Sequence, residues 1–159
     1  MTKFKHSPLL TCTIRTAGLA SANGAKFGMT RKNSDGTPRA HQGIDLACKP
    51  GYRVYAVEDA WVVGVAQAIS GFGWTITLSC RVDNTPVYPF YAHLSDIRVK
   101  VGDNVKAGDC IGLTGDTGNA RGMDTIGEGS HLHFGLKSRL SAGAGLGGWL
   151  DPLPYIDFV

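Results

Sequence analysis

Five residues in three short segments have side chains that could bind a metal ion or transfer a proton. The segment HQGID contains His41 and Asp45, and the segment SHLHFGL contains His131 and His133. A fifth residue, His93, lies between them in FYAHLS. Neutral imidazoles and a carboxylate are ligands that zinc takes in catalytic sites. If the three segments converge in the fold, the sequence predicts a metal-dependent hydrolase.

The spacing of His131 and His133 has a definite meaning on a β-strand. Residues two apart leave the same face, with Cα atoms about 6 to 7 Å apart. One imidazole could therefore bind a metal while the other reaches a substrate beside it. Leu132 and Phe134 would face the opposite side and pack in the core.

The spacing of His41 and Asp45 is less direct, because Gly43 and its neighbours indicate extended chain. Four fully extended residues span about 13 Å, which is too long for two ligands of one ion. A bend or bulge at Gly43 would bring the two side chains together. The sequence therefore predicts an irregularity at this glycine.

The elements that must position these side chains read as strands. Short runs rich in β-branched and aromatic residues are interrupted regularly by Gly, Asp and Asn, and Gly contributes 22 of the 159 residues. No segment keeps a 3.6-residue apolar period for three turns. We expect a mainly β, antiparallel sheet with short turned strands and long loops around a metal cleft. The predicted strands cover residues 53–57, 60–65, 74–79, 87–93 and 131–136.

Length and composition limit the function classes. The 159 residues suit one domain, and the last segment would pack back onto it through Trp149, Leu150 and Tyr155. Charged residues make up 18% of the chain and the net charge is +3, which does not indicate a nucleic-acid binder. No run approaches the roughly 18 apolar residues of a membrane span.

The N-terminal segment superficially resembles a signal peptide, with lysines first and Ala20-Ser21-Ala22 later. Arg15 interrupts the apolar stretch before an apolar region of about 7 to 15 residues forms. We therefore expect no cleaved signal. The four cysteines form no C-x-x-C pair, which disfavours a thiolate zinc site; free thiols are favoured slightly over two disulfides.

Several segments together resemble a known family. They are HQGIDLA, PGYRVYAVEDAWV, YAHLSDIRVKVGDNVKAGDCIGLTGDTG and GSHLHFGL, in this order within residues 27–136. Their combination is similar to the lysostaphin and LytM-type zinc endopeptidases, which cut peptide cross-links of bacterial cell walls. The resemblance implies a zinc-dependent peptidoglycan endopeptidase whose partners are wall peptides.

The resemblance also implies roles for individual residues. His41, Asp45 and His133 would bind one zinc ion, with water in the fourth position. His93 and His131 would be the two histidines that act on the water and the scissile amide without binding the metal, and which of them is the base stays open. The sequence offers two candidates for substrate binding. Tyr91 would share the face of His93 on a regular strand, and Trp74 lies between two glycine-containing stretches.

Two other classes compete with an enzyme. Some relatives have lost their zinc ligands and regulate other wall hydrolases without catalysis, but all three ligand positions are present here. The run VKVGDNVKAGDCIG also resembles a lipoyl or biotinyl carrier domain, yet the flanked lysine of such carriers is absent.

We expect no signal peptide and no wall-targeting module in this chain. We expect a monomer that acts in the periplasm or at the cell wall. Delivery would come from a phage particle, a lysis programme or a secretion system, with an immunity protein as a further partner.

Overall fold

The fold is given by a computed structural model that describes residues 2–158. These residues form eleven β-strands: β1 (Gly28–Lys32), β2 (Pro38–His41), β3 (Ile44–Ala47), β4 (Arg53–Tyr55), β5 (Ala60–Gln67), β6 (Trp74–Val82), β7 (Thr85–Ile97), β8 (Asn104–Val105), β9 (Cys110–Thr114), β10 (His131–Lys137) and β11 (Trp149–Leu150). Within the same residues there is no α-helix, and the helical turns are four short 3₁₀ segments: Ala22–Ala25, Gly118–Ala120, Ile126–Glu128 and Leu153–Tyr155.

Nine strands form one sheet, and the other two form a separate ribbon. The longest path through the sheet is β11-β10-β7-β6-β5-β8, with β3 paired to β10 and β9 paired to both β4 and β7. All of these pairings are antiparallel. The predicted mainly β, antiparallel fold is confirmed. Each of the five predicted strands is present, although β7 runs on to Ile97.

Strand β10 occupies the centre of the functional region. It pairs with β3 on one side and β7 on the other, which places His133 opposite both Asp45 and Ala92. The residues that alternate with its histidines, Leu132 and Phe134, are completely buried. The predicted alternation along this strand is therefore confirmed, with an apolar face on the core and a histidine face on the cleft.

The ribbon of β1 and β2 lies beside the large sheet. Its register places Gly28 opposite His41 and Arg31 opposite Arg39. Only two strands support it, and the segment from Gln42 to Gly43 connects it directly to β3. The ribbon thus carries one histidine of the predicted site, while the sheet carries the others.

The two ends of the described chain pack onto the sheet. Near the N-terminus, Ile14 forms a bridge with Leu46, and the amide of Arg15 donates to the carbonyl of Asp45 at 2.9 Å. Near the C-terminus, β11 pairs with β10, and Tyr155 stacks on Phe4 with ring centroids 5.1 Å apart. The sheet's core is made largely of aliphatic side chains from β3 to β10.

The four cysteines are all free thiols, as the sequence favoured; Cys12, Cys48 and Cys80 are buried. Burial raises the pKa of the Cys48 and Cys80 thiols to about 12, which disfavours their reactive thiolate forms. Within residues 2–158 no helix is long and apolar enough to cross a membrane.

Candidate metal centre

Three side chains converge where the ribbon meets the sheet. His41 comes from the last position of β2, Asp45 from β3 and His133 from β10. One ligand atom of each lies within 4.8 Å of the other two, and all three residues are buried. The structure thus brings together the three residues for which a metal-binding role was predicted.

Gly43 makes the predicted irregularity possible. Strand β2 ends at His41 before this glycine and β3 begins at Ile44 after it, so that His41 and Asp45 turn toward the same point. A Cβ on this glycine would lie 2.4 Å from the carbonyl oxygen of Phe134 and 2.8 Å from Nε2 of His133. Any larger residue would displace the strand that carries His133, so this close approach requires glycine.

The distances between the three ligand atoms match a small tetrahedral ion. Nε2 of His41 lies 3.0 Å from Oδ1 of Asp45 and 3.2 Å from Nδ1 of His133, and the third separation is 3.3 Å. Four ligands held at 2.0 to 2.1 Å from a tetrahedral zinc ion are separated by about 3.3 Å. The two nitrogens and one oxygen therefore fit zinc in both donor type and spacing.

A backbone contact fixes the tautomer of His41. Its Nδ1 lies 2.9 Å from the carbonyl oxygen of Lys26, which can only accept a hydrogen bond. The neutral ring therefore carries its proton on Nδ1, and Nε2 keeps a lone pair for the ligand position. Such a second hydrogen bond is the usual way in which a metal-binding histidine is oriented.

Two arginines hold the other oxygen of Asp45, and sequence reasoning missed both of them. Arg15 donates to Oδ2 at 2.9 Å and Arg31 donates to the same oxygen at 2.7 Å. Oδ1 is left to face the two histidines. The Asp45 side chain is 1% exposed and that of Arg15 is 5% exposed, so the Arg15 pair is shielded from water.

These contacts fix the charge state of Asp45. Burial alone would favour the neutral acid, but the polar contacts of the carboxylate with its neighbours outweigh it and hold the pKa of Asp45 well below its usual value. The two arginines act in the same direction, since opposite charges stabilise the ionised form. The carboxylate is therefore charged at neutral pH, as a metal ligand must be.

His131 and His93 lie beside this group, with ring centroids 5.1 Å apart. Nδ1 of His131 is 2.7 Å from the carbonyl of Gly129, and Nδ1 of His93 is 2.7 Å from the carbonyl of Thr117. Both neutral rings therefore carry their proton on Nδ1 and leave Nε2 as a base. Nε2 of His131 is 3.7 Å from Oδ2 of Asp45, next to the ligand group but outside it.

Burial keeps the histidines neutral. Desolvation, with repulsion from His133 and His131, lowers the pKa of His93 to about 3, and desolvation also lowers the pKa of His131. Desolvation also lowers the pKa of His133 to about 4, although Asp45 opposes the shift. At neutral pH each ring is available as a ligand or a proton acceptor.

His93 reaches the site only because β7 is irregular. Its φ is +60°, which is uncommon for a residue other than glycine, and the pairing with β6 shifts register here. On a regular strand His93 would point to the same side as Tyr91. The irregularity turns its ring into the cleft instead, and the amide of His93 donates to the carbonyl of Phe72 at 2.8 Å.

Tyr91 does not line the cleft, so this part of the prediction is wrong. It lies opposite Phe134 across the β7–β10 pair and is completely buried in the core, where its hydroxyl accepts a hydrogen bond from the amide of Val57. The neighbouring residues Phe90 and Ala92 face the other side. The prediction failed because it assumed regular alternation through His93.

Trp74 is also placed away from the cleft. It is half-buried and packs against the main core, on the same side of β6 as Ile76. Within the described chain it lines none of the three cavities around the site. Phe72, Phe90 and Trp149 border the cleft instead, and no sequence pattern singled them out for this role.

The cleft has three connected parts. A central cavity of about 470 Å³ contains the ligand group, His93 and His131. A second cavity, of about 400 Å³, shares Arg31 and Arg39 with it and extends toward the N-terminal segment. A third, of about 480 Å³, shares Phe72 with the central one and reaches Trp149. An extended peptide could therefore cross the metal centre from one side to the other.

Comparison with known families and structures agrees with this geometry. The model of peptidase family M23 matches residues 39–144, more than half of the chain. The chain belongs to peptidase family M23. Arg15 and Arg31 lie outside the matched residues, although their side chains contact Asp45 within them.

Individual M23 relatives are similar in sequence and fold. The glycyl-glycine endopeptidase ALE-1 of Staphylococcus capitis is 35% identical over 117 residues, which is 73% of this chain and 29% of ALE-1. A zinc-containing peptidase from Vibrio cholerae has a TM-score of 0.63 at 29% identity, covering 84% of this chain and 36% of that one. The catalytic domain of lysostaphin from Staphylococcus simulans also gives 0.63, at 30% identity, covering 82% and 87%.

The chain spans less than a third of the length of ALE-1. The similarity therefore concerns the peptidase domain and the fold around the ligand group.

Proposed function

We propose that this M23 protein is a zinc-dependent endopeptidase that hydrolyses cross-link or stem peptides of bacterial peptidoglycan. The observation that carries the proposal is the buried group of His41, Asp45 and His133 beside two histidines whose Nε2 atoms are free to accept protons. Its relatives include a glycyl-glycine endopeptidase and a zinc-containing peptidase. Metal-dependent peptide hydrolysis uses metal ligands together with a group that accepts and donates protons.

The three ligand residues would hold the zinc ion through Nε2 of His41, Oδ1 of Asp45 and Nδ1 of His133. When bound there, zinc supplies polarisation of the scissile carbonyl and activation of a water molecule near neutral pH. Two neutral histidines and one carboxylate leave a zinc site with net positive charge. The ion pairs of Asp45 with Arg15 and Arg31 withdraw further electron density from the ligand oxygen.

His93 and His131 perform the proton transfers. Their Nε2 atoms are unprotonated at neutral pH, because burial lowers the pKa of both rings. One Nε2 accepts a proton from the attacking water, and protonated imidazole then donates to the leaving amide nitrogen. The carbonyl oxygens of Thr117 and Gly129 hold the two rings in this orientation.

The site of action would be the periplasm or the cell wall, since only there does the protein meet cross-linked peptidoglycan. Delivery by a phage particle, a lysis programme or a secretion system, and neutralisation by an immunity protein, belong to the same proposal. An acidic polymer such as peptidoglycan is compatible with the net charge of +3.

Mass spectrometry of released fragments tests this function. The zinc-loaded protein is incubated with two purified walls, one directly cross-linked and one glycine-bridged. We expect cross-link-cleaved peptides from at least one wall, loss of release with a chelator, and recovery when zinc is added back. His133→Ala serves as the matched inactive control.

Two results would contradict the proposal. Release by the chelated protein at the wild-type rate would exclude a metal-dependent mechanism. Intact walls that retain bound protein would instead support the non-catalytic regulator, although the complete ligand group argues against that class.

A further inference from the structure

Two arginines face each other on the ribbon next to the metal centre. Arg31 on β1 is directly opposite Arg39 on β2, and both line the central cavity. Residues directly opposite in an antiparallel pair project from the same face, where like charges destabilise the pairing. Arg31 is compensated by Asp45 at 2.7 Å. Within residues 2–158, by contrast, no carboxylate forms an ion pair with Arg39.

Arg39 is placed to reach a molecule in the cleft. It precedes His41 by two residues on β2, so the two side chains leave the same face with Cα atoms about 6 to 7 Å apart. His41 lies in the ligand group, and Arg39 is exposed beside it. Its guanidinium is therefore available to solvent and to substrate.

Apart from Asp45, the charged residues that line the three cavities are all cationic. The cavity next to the metal centre is lined by four cationic residues and no carboxylate; the four are Arg15, Arg31, Lys32 and Arg39. The cavity on the other side contains Lys137, whose Nζ lies 4.7 Å from the ring centroid of Phe90. Asp45 is the one acid that lines any of the three cavities in the described chain, and it is already paired.

We propose that Arg39 binds a carboxylate that the peptide substrate carries next to its scissile amide. This rests on the proposed peptidase function and specifies its substrate class. The planar guanidinium matches a carboxylate in a bidentate pair, whereas a lysine would supply only a point charge. A bound carboxylate would also compensate the repulsion between Arg31 and Arg39.

The chemistry of the candidate cross-links separates two substrate classes. In a direct cross-link, the scissile nitrogen belongs to a diamino acid, and the carbon that bears this nitrogen can also bear a free carboxylate. An interior bond of a glycine bridge has no such group. The site of Arg39 therefore favours the direct cross-link to a diamino acid with a free carboxylate.

Two soluble cross-linked peptides test this assignment. They differ only at the carbon that bears the scissile nitrogen, which carries a carboxylate in one and a carboxamide in the other. A third, glycine-bridged peptide serves as the competing class. The kcat/KM is measured for the zinc-loaded wild type, Arg39→Gln, Arg39→Lys and Arg53→Gln; Arg53 is exposed and lies outside the three cavities.

We expect the wild type to prefer the carboxylate peptide by about tenfold to a hundredfold, the range of a hydrogen-bonded charge pair. Arg39→Gln should lose this factor on the carboxylate peptide and change by less than about threefold on the carboxamide peptide. Arg39→Lys should recover part of the preference, and Arg53→Gln should match the wild type.

Binding is measured separately, by calorimetry in a His131→Ala background that does not turn over the peptides. If no peptide is cleaved, the peptidase function fails, while a binding preference that Arg39→Gln removes still supports the role of Arg39. If the His131→Ala protein that keeps Arg39 bound the carboxylate and carboxamide peptides equally well, that role would be overturned. Cleavage of the glycine-bridged peptide alone, or an equal loss on both peptides in Arg39→Gln, would also overturn it.

Discussion

The guanidinium of Arg15 donates a 2.9 Å hydrogen bond to Oδ2 of Asp45, and both side chains are almost fully buried. Because Arg31 binds the same oxygen, Oδ1 is directed at the two histidine ligands. The position of a metal ligand thus depends on the N-terminal segment, thirty residues earlier in the chain. This contact leads to the first prediction.

Replacing Arg15 by leucine should weaken both the fold and the metal site. Removing one partner leaves a buried carboxylate that only Arg31 compensates, so we expect the free energy of unfolding to fall by about 2 to 4 kcal/mol. Zinc affinity should fall about tenfold to a hundredfold, as for other groups that orient a ligand. Urea unfolding and competitive zinc titration measure the two effects.

The matched control is Arg98→Leu, which removes the ion pair with Asp96 on the surface, where both side chains are nearly half exposed. It should leave the stability nearly unchanged, because an exposed ion pair contributes little. If the two variants were equally stable and bound zinc equally well, the buried pair would not position Asp45. Arg15→Lys keeps the charge, so its stability and zinc affinity should lie between those of the wild type and those of Arg15→Leu. It replaces the leucine variant in the comparison if that variant does not fold.

The two histidines of β10 should separate metal binding from proton transfer. His133→Ala should lose the metal and the activity, because Nδ1 of His133 belongs to the ligand group. His131→Ala should keep most of the metal and lose activity by about 10²-fold to 10⁴-fold, the usual contribution of a general acid or base. Metal content by mass spectrometry and peptide hydrolysis are measured on the same samples. Equal loss of metal in both variants would refute this division of roles.

Adding a single methyl group at Gly43 should disturb the metal centre. A Cβ there would overlap the carbonyl of Phe134 and the ring of His133, and backbone can move only at a cost. We expect Gly43→Ala to lower the free energy of unfolding by about 1 to 3 kcal/mol and to reduce zinc affinity. Gly127→Ala is the control, since the atom nearest to its Cβ lies 3.9 Å away. Similar melting temperatures for the two variants would contradict the close approach seen here.

The metal-free protein should lose stability as the pH falls below about 6.5. Unfolded histidines bind protons near that pH, whereas burial lowers the pKa of His93 to about 3 and of His133 to about 4 in the folded state. The unfolded chain therefore binds more protons between about pH 6.5 and pH 4, and acid favours unfolding. Each histidine contributes up to about 1.4 kcal/mol per pH unit.

Urea unfolding at pH 7.5 and pH 5.5, with chelator present, measures this dependence. His93→Gln cannot take up this proton. The free energy of unfolding of this variant should therefore depend less steeply on pH, by about the contribution of one histidine. A stability that stays constant or rises between pH 7.5 and pH 5.5 would contradict the buried neutral state of these rings.

The sequence predicted the parts of the site that depend on short-range spacing. The two-residue spacing of His131 and His133 implied one shared face, and the buried Leu132 and Phe134 confirm it. The irregularity at Gly43 followed from the distance that two ligands of one ion can span. Five strands were also evident from their composition, because β-branched runs between turn residues are a local signal.

Contacts between distant segments could not be predicted in the same way. Arg15 and Arg31 belong to no motif. The approach of Arg15 to Asp45 depends on how the N-terminal segment pairs with β3, and that of Arg31 depends on how β1 pairs with β2. The error at Tyr91 has a related cause. Strand alternation assigns a face only while the strand stays regular, and the positive φ of His93 cannot be read from composition. Trp74 was chosen for its flanking glycines, which do not determine the direction of its side chain.

The ribbon of β1 and β2 contributes His41 to the metal centre, while Asp45 and His133 belong to the large sheet. An ion bound by all three would tether two separately paired layers, and the tethered layer also carries Arg39. Metal binding and peptide binding would then be thermodynamically linked. By reciprocity, whatever factor the ion adds to the affinity for an acidic peptide, that peptide adds to the affinity for the ion.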